Sequence, residues 1–192
     1  MRITGGGARG IELKLPRRGE LRPATDALRA AVFSSLGPLV AGARVLDLFA
    51  GTGAYGLEAL SRDATQVTWL DSNHAAAAAI RVNLAAVAKS LGAADAAALG
   101  RVGEGDVYVW QPPDGTTFDL IFADPPYATL PERGNELITR ACQWLSPSPQ
   151  ARLILEAPGM FEPNVPQGWK LLRRLGKGAR QPGALIFARL VE

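Results

Sequence analysis

The feature that most constrains the fold is a glycine-rich turn between two segments of different character. Residues 43–50, ARVLDLFA, form a short apolar run typical of a strand, the turn GTGAYG occupies 51–56, and AYGLEALSR at 54–62 has the composition of a helix. A strand that passes through a tight glycine turn into a helix is the start of a strand–helix–strand unit. The sequence therefore predicts a parallel sheet flanked by helices.

The downstream sequence continues this alternation. Strands are predicted at 66–71, near 101–106, at 118–124 and at 151–157, with helices at 73–91 and within 133–145. The run at 118–124 is almost entirely apolar, which is typical of a strand buried on both faces. Two last strands, at 169–175 and 183–191, are close in sequence and indicate an antiparallel edge. We expect a doubly wound α/β domain with a mostly parallel sheet.

The N-terminal segment precedes this alternation. Residues 1–15 predict a small β-hairpin that turns at 5–7 and points Ile11, Leu13 and Leu15 inward. Residues 16–23 predict a loop. Thr25 is the predicted N-cap of a helix, and the residues at helical spacing on its buried face are Leu28, Ala31, Val32, Ser35 and Leu36. A length of 192 residues suits one domain, 1–192, in which residues 1–24 form an N-terminal extension.

Composition excludes several classes of protein. Apolar residues make up 47% and charged residues 20% of the chain, as in folded globular proteins. No apolar run reaches the roughly 18 residues of a membrane span, and the first residues lack the apolar core of a signal peptide, so we expect a cytoplasmic protein without a membrane segment. Cys142 and His74 are the single cysteine and the single histidine, so an intrachain disulfide is excluded and no metal site is predicted.

The charge is unevenly distributed along the chain. The net charge is +3, but residues 1–29 carry +4 and residues 168–192 carry +5, which leaves −6 for the middle. Basic ends around an acidic middle favour a surface that faces a polyanion, provided that the fold brings the ends together. An ordinary solvated surface explains the charge pattern equally well.

The glycine turn indicates a nucleotide-like ligand. Gly51, Gly53 and Gly56 match G-x-G-x-x-G, and Asp71 stands 20 residues after the first glycine, where an acid can hold ribose hydroxyls. Asp47 lies inside the strand before the turn, and a carboxylate there would repel the phosphates of a dinucleotide. S-adenosylmethionine has no phosphates and carries an ammonium and a sulfonium. The pattern therefore favours S-adenosylmethionine, with a nicotinamide cofactor as the alternative.

Further residues are assigned to the same cofactor site. Asp106 follows the third predicted strand, where its carboxylate could reach the exocyclic amine of an adenine, although a loop acid without a ligand is the alternative. The residues that adjoin the candidates are included in the site. The complete predicted set is Asp47, Gly51, Thr52, Gly53, Asp71, Ser72, Asp106 and Val107.

The fourth strand ends in the candidate catalytic motif. Asp124, Pro125, Pro126 and Tyr127 follow the apolar run, and ligands of open α/β sheets bind beyond the carboxyl ends of the strands. The prolines fix the backbone and supply no N–H, so Asp124 and the Pro125 carbonyl are predicted to accept the two N–H groups of an exocyclic amine. The amine lone pair would then point at a methyl donor. Tyr127 would stack on the base.

These motifs together resemble a known family. DLFAGTG at 47–53 and ADPPY at 123–127, with RITGG, LRPATDALRAAVFSSL and ALSR, are similar to the bacterial small-subunit ribosomal RNA guanine-N2 methyltransferases of the RsmD family. The resemblance implies a Rossmann-like class I methyltransferase fold with seven strands, S-adenosylmethionine as donor, and a guanine of 16S ribosomal RNA as target, free or in an assembling small subunit. We also expect a monomer, because nothing in the sequence demands a dimer, and an RNA-facing extension at residues 1–24. The predicted RNA-binding residues are Arg2, Arg9, Arg22, Thr25 and Arg29.

Other functions remain open at this stage. The amine chemistry also suits adenine or cytosine of DNA, or a glutamine side chain of a protein. A nicotinamide-dependent oxidoreductase would use the glycine turn but leaves Asp47 and Asp124 unexplained. A noncatalytic RNA-binding or assembly factor would retain the fold and the basic ends.

Overall fold

The computed structural model describes residues 1–15, 26–176 and 181–190. The helices are α1 (Asp26–Leu36), α2 (Ala54–Ser61), α3 (His74–Ser90), α4 (Ala96–Leu99) and α5 (Leu130–Trp144). The strands are β1 (Arg44–Leu48), β2 (Gln66–Asp71), β3 (Gly100–Glu104), β4 (Leu120–Ala123), β5 (Arg152–Pro158), β6 (Trp169–Leu175) and β7 (Pro182–Arg189). Short 3₁₀ turns cover Gly37–Leu39 and Tyr127–Thr129.

The seven strands form one sheet in the order β3-β2-β1-β4-β5-β7-β6. Pairs among β1 to β5 are parallel, and β7 pairs antiparallel with both β5 and β6. The predicted doubly wound α/β fold with seven strands and an antiparallel C-terminal strand is therefore confirmed. The antiparallel strand is inserted next to β5, so the outermost strand on that side is β6, which again runs in the direction of β1 to β5.

Each face of the sheet has its own apolar core. The centre of one face is formed by Val45, Val67, Phe122, Ile154 and Ile186, and it packs against the N-terminal segment, α1, α2 and α3. The opposite face carries residues such as Leu46, Ile121 and Leu153 and packs against α5. Because successive residues of a strand alternate between faces, the residues that follow Ala123 and Leu155 belong to the α1–α2 face.

Some sequence predictions differ in detail from the structure. β4 is shorter than predicted, because Phe118 forms only an isolated bridge with Leu145 before the strand begins. The short helix α4, which Asp95 caps through the N–H of Ala97, was not predicted. Cys142 is buried, which raises the pKa of its thiol to about 12, and His74 contacts Glu104 on the surface at 2.8 Å.

The predicted buried face of α1 is partly wrong. Leu28, Val32 and Leu36 are buried as expected, but Ala31 is exposed and Phe33 is buried. The buried stripe is displaced toward the flank that carries Arg29 and Phe33, because α1 contacts both β6 and β7 and also lies beside the N-terminal segment. Thr25, the predicted cap, lies outside the described residues.

The N-terminal hairpin is present in reduced form. Arg2 and Glu12 form one antiparallel bridge, and the Ile3 N–H donates to the Ile11 carbonyl at 2.9 Å. Leu13 is buried as predicted, whereas Leu15 is 58% exposed, so the predicted inward position of Leu15 is wrong. Ile3 and Ala8 are buried and attach the segment to the domain core.

The described residues contain neither a membrane-spanning helix nor a cluster of metal-ligating side chains. None of their helices has the length and apolar character needed to cross a membrane. Within the same residues, no group of three or more histidine, cysteine, aspartate or glutamate side chains is placed to hold a metal ion.

Candidate active site

The predicted site residues converge at the carboxyl edge of the sheet. β1 and β4 are adjacent at its centre, with β2 and β3 on one side and β5 on the other. The chain leaves β1 and β4 toward opposite sides of this centre, which is the position where open α/β sheets bind ligands. The carboxylates Asp106, Asp71, Asp47 and Asp124 therefore follow one another along this edge, at or just beyond the ends of β3, β2, β1 and β4.

The glycine turn after β1 has an unusual backbone. Phe49, Gly51 and Gly53 have φ values of 55°, 54° and 78°, the left-handed region that non-glycine residues seldom adopt. The Gly53 N–H closes the turn on the Ala50 carbonyl at 2.6 Å. Three such residues within five fold the chain tightly against the crevice before α2 begins.

The last glycine of the motif has a packing role. A Cβ atom at Gly56 would lie 2.3 Å from the Trp69 ring nitrogen, so only glycine lets α2 pack this closely on β2. The Trp69 ring nitrogen also donates to the Gly53 carbonyl at 3.3 Å. The turn, α2 and β2 are therefore held as one unit.

Asp71 is held by two backbone donors. Its oxygens accept from the Gly51 N–H at 2.8 Å and from the Asn73 N–H at 2.8 Å. The side chain is half-buried, and each carboxylate oxygen has a second lone pair for another donor. Asp71 therefore links the glycine turn to β2 and can still accept hydrogen bonds from the hydroxyl groups of a ligand in the crevice.

The other predicted cofactor residues lie around the same edge. Asp106 is exposed and accepts from the Tyr108 N–H at 2.8 Å, which fixes the turn after β3. Val107 and Thr52 are buried, and Ser72 is exposed directly after β2. The structure brings this set to one edge, while the contact of each residue with a cofactor stays a prediction.

Asp47 is a buried carboxyl in the middle of the site. It is 2% exposed and accepts from the Gly56 N–H at 2.9 Å. Its pKa is raised to about 8, chiefly by burial and also by the nearby Asp71 charge, against the opposing effect of this hydrogen bond. A cation nearby would favour the ionised form of this buried acid, so Asp47 is suited to face a positively charged group of a ligand. The predicted pairing with an ammonium stays a prediction.

The D-P-P-Y motif follows β4 directly. The Asp124 N–H donates to the Leu48 carbonyl at 3.3 Å, which joins the motif to the end of β1. The Pro126 carbonyl accepts from the N–H and the hydroxyl of Thr129 at 2.9 and 2.8 Å. Since Pro126 is already engaged, Pro125 is the better candidate for the second substrate acceptor. Tyr127 is half-buried and packs at the margin of the α5-side core.

Comparison with known proteins decides which family has this arrangement. The family model described as "Conserved hypothetical protein 95" matches residues 1–181. The chain belongs to this family. Ribosomal RNA small subunit methyltransferase D of Escherichia coli strain K12 is 35% identical over 175 residues, which cover 90% of this chain and 83% of the relative. The protein of the same name from Haemophilus influenzae is 31% identical over 180 residues, which cover 93% and 89%.

Solved structures agree with the sequence relatives. The structure of yhhF from Escherichia coli, whose name assigns it provisionally to the methyltransferases, matches with a TM-score of 0.79 and 32% identity. The match covers 100% of this chain and 99% of that one. The predicted resemblance to the RsmD family and the class I methyltransferase fold are both confirmed.

Two residues beside Asp124 were missed from the sequence. Glu156 on β5 is 1% exposed, and the Tyr55 hydroxyl on α2 donates to it at 2.5 Å. The Tyr55 ring stacks on Phe122 with centroids 4.8 Å apart. The signal was available for Glu156, because it follows the apolar run RLIL just as Asp124 follows its own strand. No pattern in the sequence pointed to Tyr55.

An aromatic wall near the glycine turn was also missed. The Phe49 and Tyr108 rings meet edge to face with centroids 5.8 Å apart, and the Arg133 guanidinium lies over the Tyr108 ring at 3.4 Å. These side chains come from the loops after β1 and β3 and from α5. The positive φ of Phe49, which no sequence rule predicts, is part of this arrangement.

The predicted RNA-binding residues have different outcomes. Arg2 and Arg9 are exposed on the N-terminal segment, so both are accessible to a polyanion. Arg22 and Thr25 lie outside the described residues. Arg29 is completely buried, and its predicted RNA contact is therefore wrong for this structure.

The physical reason is that Arg29 neutralises a buried acid. Its Nε contacts Glu58 at 3.4 Å and its Nη2 contacts Asp26 at 2.9 Å and the Arg2 carbonyl. Glu58 also accepts from the Thr4 N–H and hydroxyl, both at 2.7 Å, and from Arg62 at 2.8 Å. Arg29 thus joins α1, α2 and the N-terminal segment.

Proposed function

We propose that this protein transfers a methyl group from S-adenosylmethionine to the exocyclic N2 amine of a guanine in small-subunit ribosomal RNA. The observation that carries the proposal is the position of Asp124, which hydrogen-bonds through its backbone to β1 beside the glycine turn. Cofactor turn and amine acceptor therefore share one crevice. The relatives named ribosomal RNA small subunit methyltransferase D supply the substrate class.

The crevice fits this cofactor by the chemistry of its side chains. Acidic side chains lie at or just beyond the ends of β1, β2 and β3, at the edge where the cofactor would lie, and they suit a cationic ligand better than the phosphates of a dinucleotide. Asp47 would face the ammonium group, Asp71 the ribose hydroxyls and Asp106 the adenine amine. Gly51, Thr52 and Gly53 with Ser72 and Val107 would complete the contact surface.

The residues of the D-P-P-Y motif orient the acceptor. When bound, S-adenosylmethionine supplies an electrophilic methyl group on a positively charged sulfur, which departs as a neutral thioether. The Asp124 carboxylate and the Pro125 carbonyl accept the two N–H groups of the amine, so the nitrogen lone pair points at the methyl carbon. Tyr127 stacks on the guanine ring, which must leave its helix to enter the pocket. Asp124 then takes up the proton that the methylated nitrogen releases.

The RNA would bind on the basic surface beside this crevice. Arg2 and Arg9 are exposed on the N-terminal segment, and Lys170, Arg173 and Arg174 are exposed on β6. Arg173 donates to the Ser35 hydroxyl of α1 at 3.1 Å, so the fold brings the basic C-terminal segment to the N-terminal part of the chain. Residues 1–24 would act as an RNA-facing extension of a monomeric enzyme that meets its substrate in the cytoplasm. Free RNA and an assembling small subunit are both compatible with this surface.

The test is transfer of a radiolabelled methyl group to small subunits and to naked ribosomal RNA from cells that lack this gene. We expect incorporation at one guanine, identified as N2-methylguanine by mass spectrometry of nuclease fragments. RNA in which inosine replaces that guanine is the matched control, because inosine lacks only the 2-amino group. Methylation of the inosine RNA, or no transfer to either substrate, would overturn the proposal.

A further inference from the structure

Glu156 lies next to Asp124 on the same face of the sheet. β4 and β5 are parallel and in register, with Ala123 opposite Leu155, so the next residue of each chain segment is Asp124 and Glu156. Ala123 and Leu155 belong to the α5-side core, which directs the two acids toward α1 and α2. Neighbouring strands are about 4.8 Å apart, so the two carboxyl groups are within direct electrostatic reach.

The surroundings of Glu156 are short of compensating groups. The Tyr55 hydroxyl from α2 donates to it at 2.5 Å, and Asp47 and Asp124 contribute further carboxyl groups from β1 and β4. Among the residues that the structure describes, Arg29 from α1 is the cation that acts on this cluster, and it is already paired with Glu58 and Asp26. Ala184, the β7 residue opposite Glu156, carries no charge.

The buried Glu156 carboxyl and the half-buried Asp124 carboxyl on neighbouring strands do not ionise independently. The pKa of Asp124 is raised well above its ordinary value, first by burial and then by the charges of Glu156 and Asp47. Burial raises the pKa of Glu156 to about 7, although the Tyr55 hydroxyl and Arg29 oppose the shift. Adjacent acids of this kind hold one proton between them over a wide pH range.

We propose that Glu156, held by the Tyr55 hydroxyl, is a positioning residue that shares one proton with Asp124 and so makes Asp124 the acceptor of the proton leaving the substrate amine. This inference rests on the proposed methyl transfer. The pair carries one proton when the amine binds with its N–H groups on Asp124. Formation of the N–C bond and loss of the C–S bond leave the guanine nitrogen positive, and the proton it releases brings the pair to two protons. Release of one proton to solvent restores the starting state.

The first test compares the pH profile of kcat/KM for the wild-type protein and Glu156→Gln. When the pair carries one proton, the Glu156 carboxyl donates that proton to the Asp124 carboxylate and so favours its ionised form. Glu156→Gln removes this proton, so the acid limb is expected to move to higher pH by about one unit. KM values for RNA and cofactor should not change, since Glu156 touches neither.

Two variants separate this role from simple packing. Tyr55→Phe keeps the Glu156 carboxyl but removes its donor, so Glu156 retains the shared proton and the acid limb moves in the opposite direction by a smaller amount. Glu58→Gln is the matched control, because it is the same substitution at a buried acid on the same side of the sheet, paired with Arg29 and Arg62. We expect Glu58→Gln to lower stability and leave the acid limb in place. An active Glu156→Gln enzyme with an unmoved acid limb would overturn the inference, and if Glu156→Gln does not fold, Tyr55→Phe decides by the same criterion.

A second measurement does not need catalysis. Thermal unfolding of the protein without RNA or cofactor is followed from pH 5 to 8 for the wild type, Tyr55→Phe and Glu156→Gln. The melting temperature of the wild type is expected to fall across this range, and the fall should be smaller in Glu156→Gln. The same fall in both would contradict the shared proton. Absence of guanine methylation by the wild type would instead remove the proposed function and leave this result standing.

Discussion

Two buried acids on the same side of the sheet have opposite surroundings. Glu58 on α2 receives hydrogen bonds from Arg29, Arg62 and both polar groups of Thr4. Glu156 on β5 receives one from the Tyr55 hydroxyl and lies beside Asp124. A buried carboxylate with several hydrogen-bond donors holds together the elements that supply those donors. A buried carboxyl group with few donors retains a proton more readily. The first arrangement builds the fold and the second suits chemistry.

The largest effect is expected from removing Arg29, the cation paired with Glu58. Arg29→Met keeps much of the side-chain volume but leaves Glu58 with fewer partners, so the free energy of unfolding should fall by about 3 kcal/mol. Chemical denaturation of both proteins measures this. Arg62→Met is the control, since the Arg62 side chain is 28% exposed and that of Arg29 is fully buried. Equal losses in the two variants would show that burial of Arg29 is not the cause.

Removing the Asp124 charge should have the opposite effects, a large loss of activity and no loss of stability. Asp124→Asn is expected to lower kcat/KM about a hundredfold, because an acceptor for the amine N–H and its proton is lost. Its stability should be equal to or above that of the wild type, since a poorly compensated carboxyl is neutralised. Asp119→Asn, at the other end of the same strand, is the control for activity. A loss of stability like that of Arg29→Met would contradict the distinction between the compensated Glu58 and the poorly compensated pair of Asp124 and Glu156.

A substitution at Gly56 tests whether the position of α2 matters for both acids. This helix carries Glu58 itself and also Tyr55, the donor to Glu156. Gly56→Ala would place a Cβ atom 2.3 Å from Trp69 and 2.6 Å from Val67, and the required shift of α2 should cost about 2 kcal/mol of unfolding free energy. The acid limb of the pH profile should move as well, since the Tyr55 hydroxyl moves with the helix. Gly105→Ala, where the added atom would meet Leu70 at an ordinary 3.8 Å, should leave stability nearly unchanged.

The pH dependence of stability sharpens the comparison further. Glu156 has an ordinary pKa of 4.5 and a pKa of about 7 in the folded protein, so between these values the folded state holds a proton that the unfolded chain has released. This contribution is complete below pH 4.5 and is lost as the pH rises through 7, by up to about 1.4 kcal/mol per unit. Asp47, raised from 3.8 to about 8, acts in the same direction. Denaturation at several pH values should therefore show a smaller slope for Glu156→Gln and an unchanged slope for Leu15→Ser, an exposed apolar residue of the N-terminal segment.

The smallest effects are expected at the exposed arginines of the N-terminal segment, which Glu58 holds in place through Thr4. Arg2→Ala and Arg9→Ala should each weaken RNA binding by less than about tenfold and lower the dependence of affinity on salt. Filter binding at several salt concentrations measures both quantities. Glu12→Ala, on the same segment, should not weaken binding. A loss that does not depend on salt would contradict a phosphate contact.

Much of the fold could be predicted from local patterns. The glycine turn after ARVLDLFA, the alternation of strands and helices and the paired C-terminal strands are local signals, and the sheet confirms them. The acid-ended strand that gave Asp124 is a signal of the same kind. Glu156 carries that signal too, but Ala157 separates it from Pro158, whereas two prolines follow Asp124 directly, so it was missed.

Arg29 shows the limit of this approach. Its match to a family position that faces nucleic acid indicated an RNA contact, and only the packing of α1 against α2 and the N-terminal segment shows that Glu58, 29 residues away, is its partner. A matched position gives the type of a residue but not the side on which its helix is covered. The same limit applies to Leu15, whose alternation predicted an inward side chain.

The sequence by itself determined the class of fold, the family and the two motifs at the carboxyl edge, because strand and helix periodicity, glycine turns and strand-ending acids are properties of neighbouring residues. Only the tertiary structure decided which acids are compensated. Glu58 and Glu156 differ in partners that come from other elements, up to 101 residues away in the chain. Burial and neighbouring charge set the free energy of ionisation, and both exist only after the chain has packed.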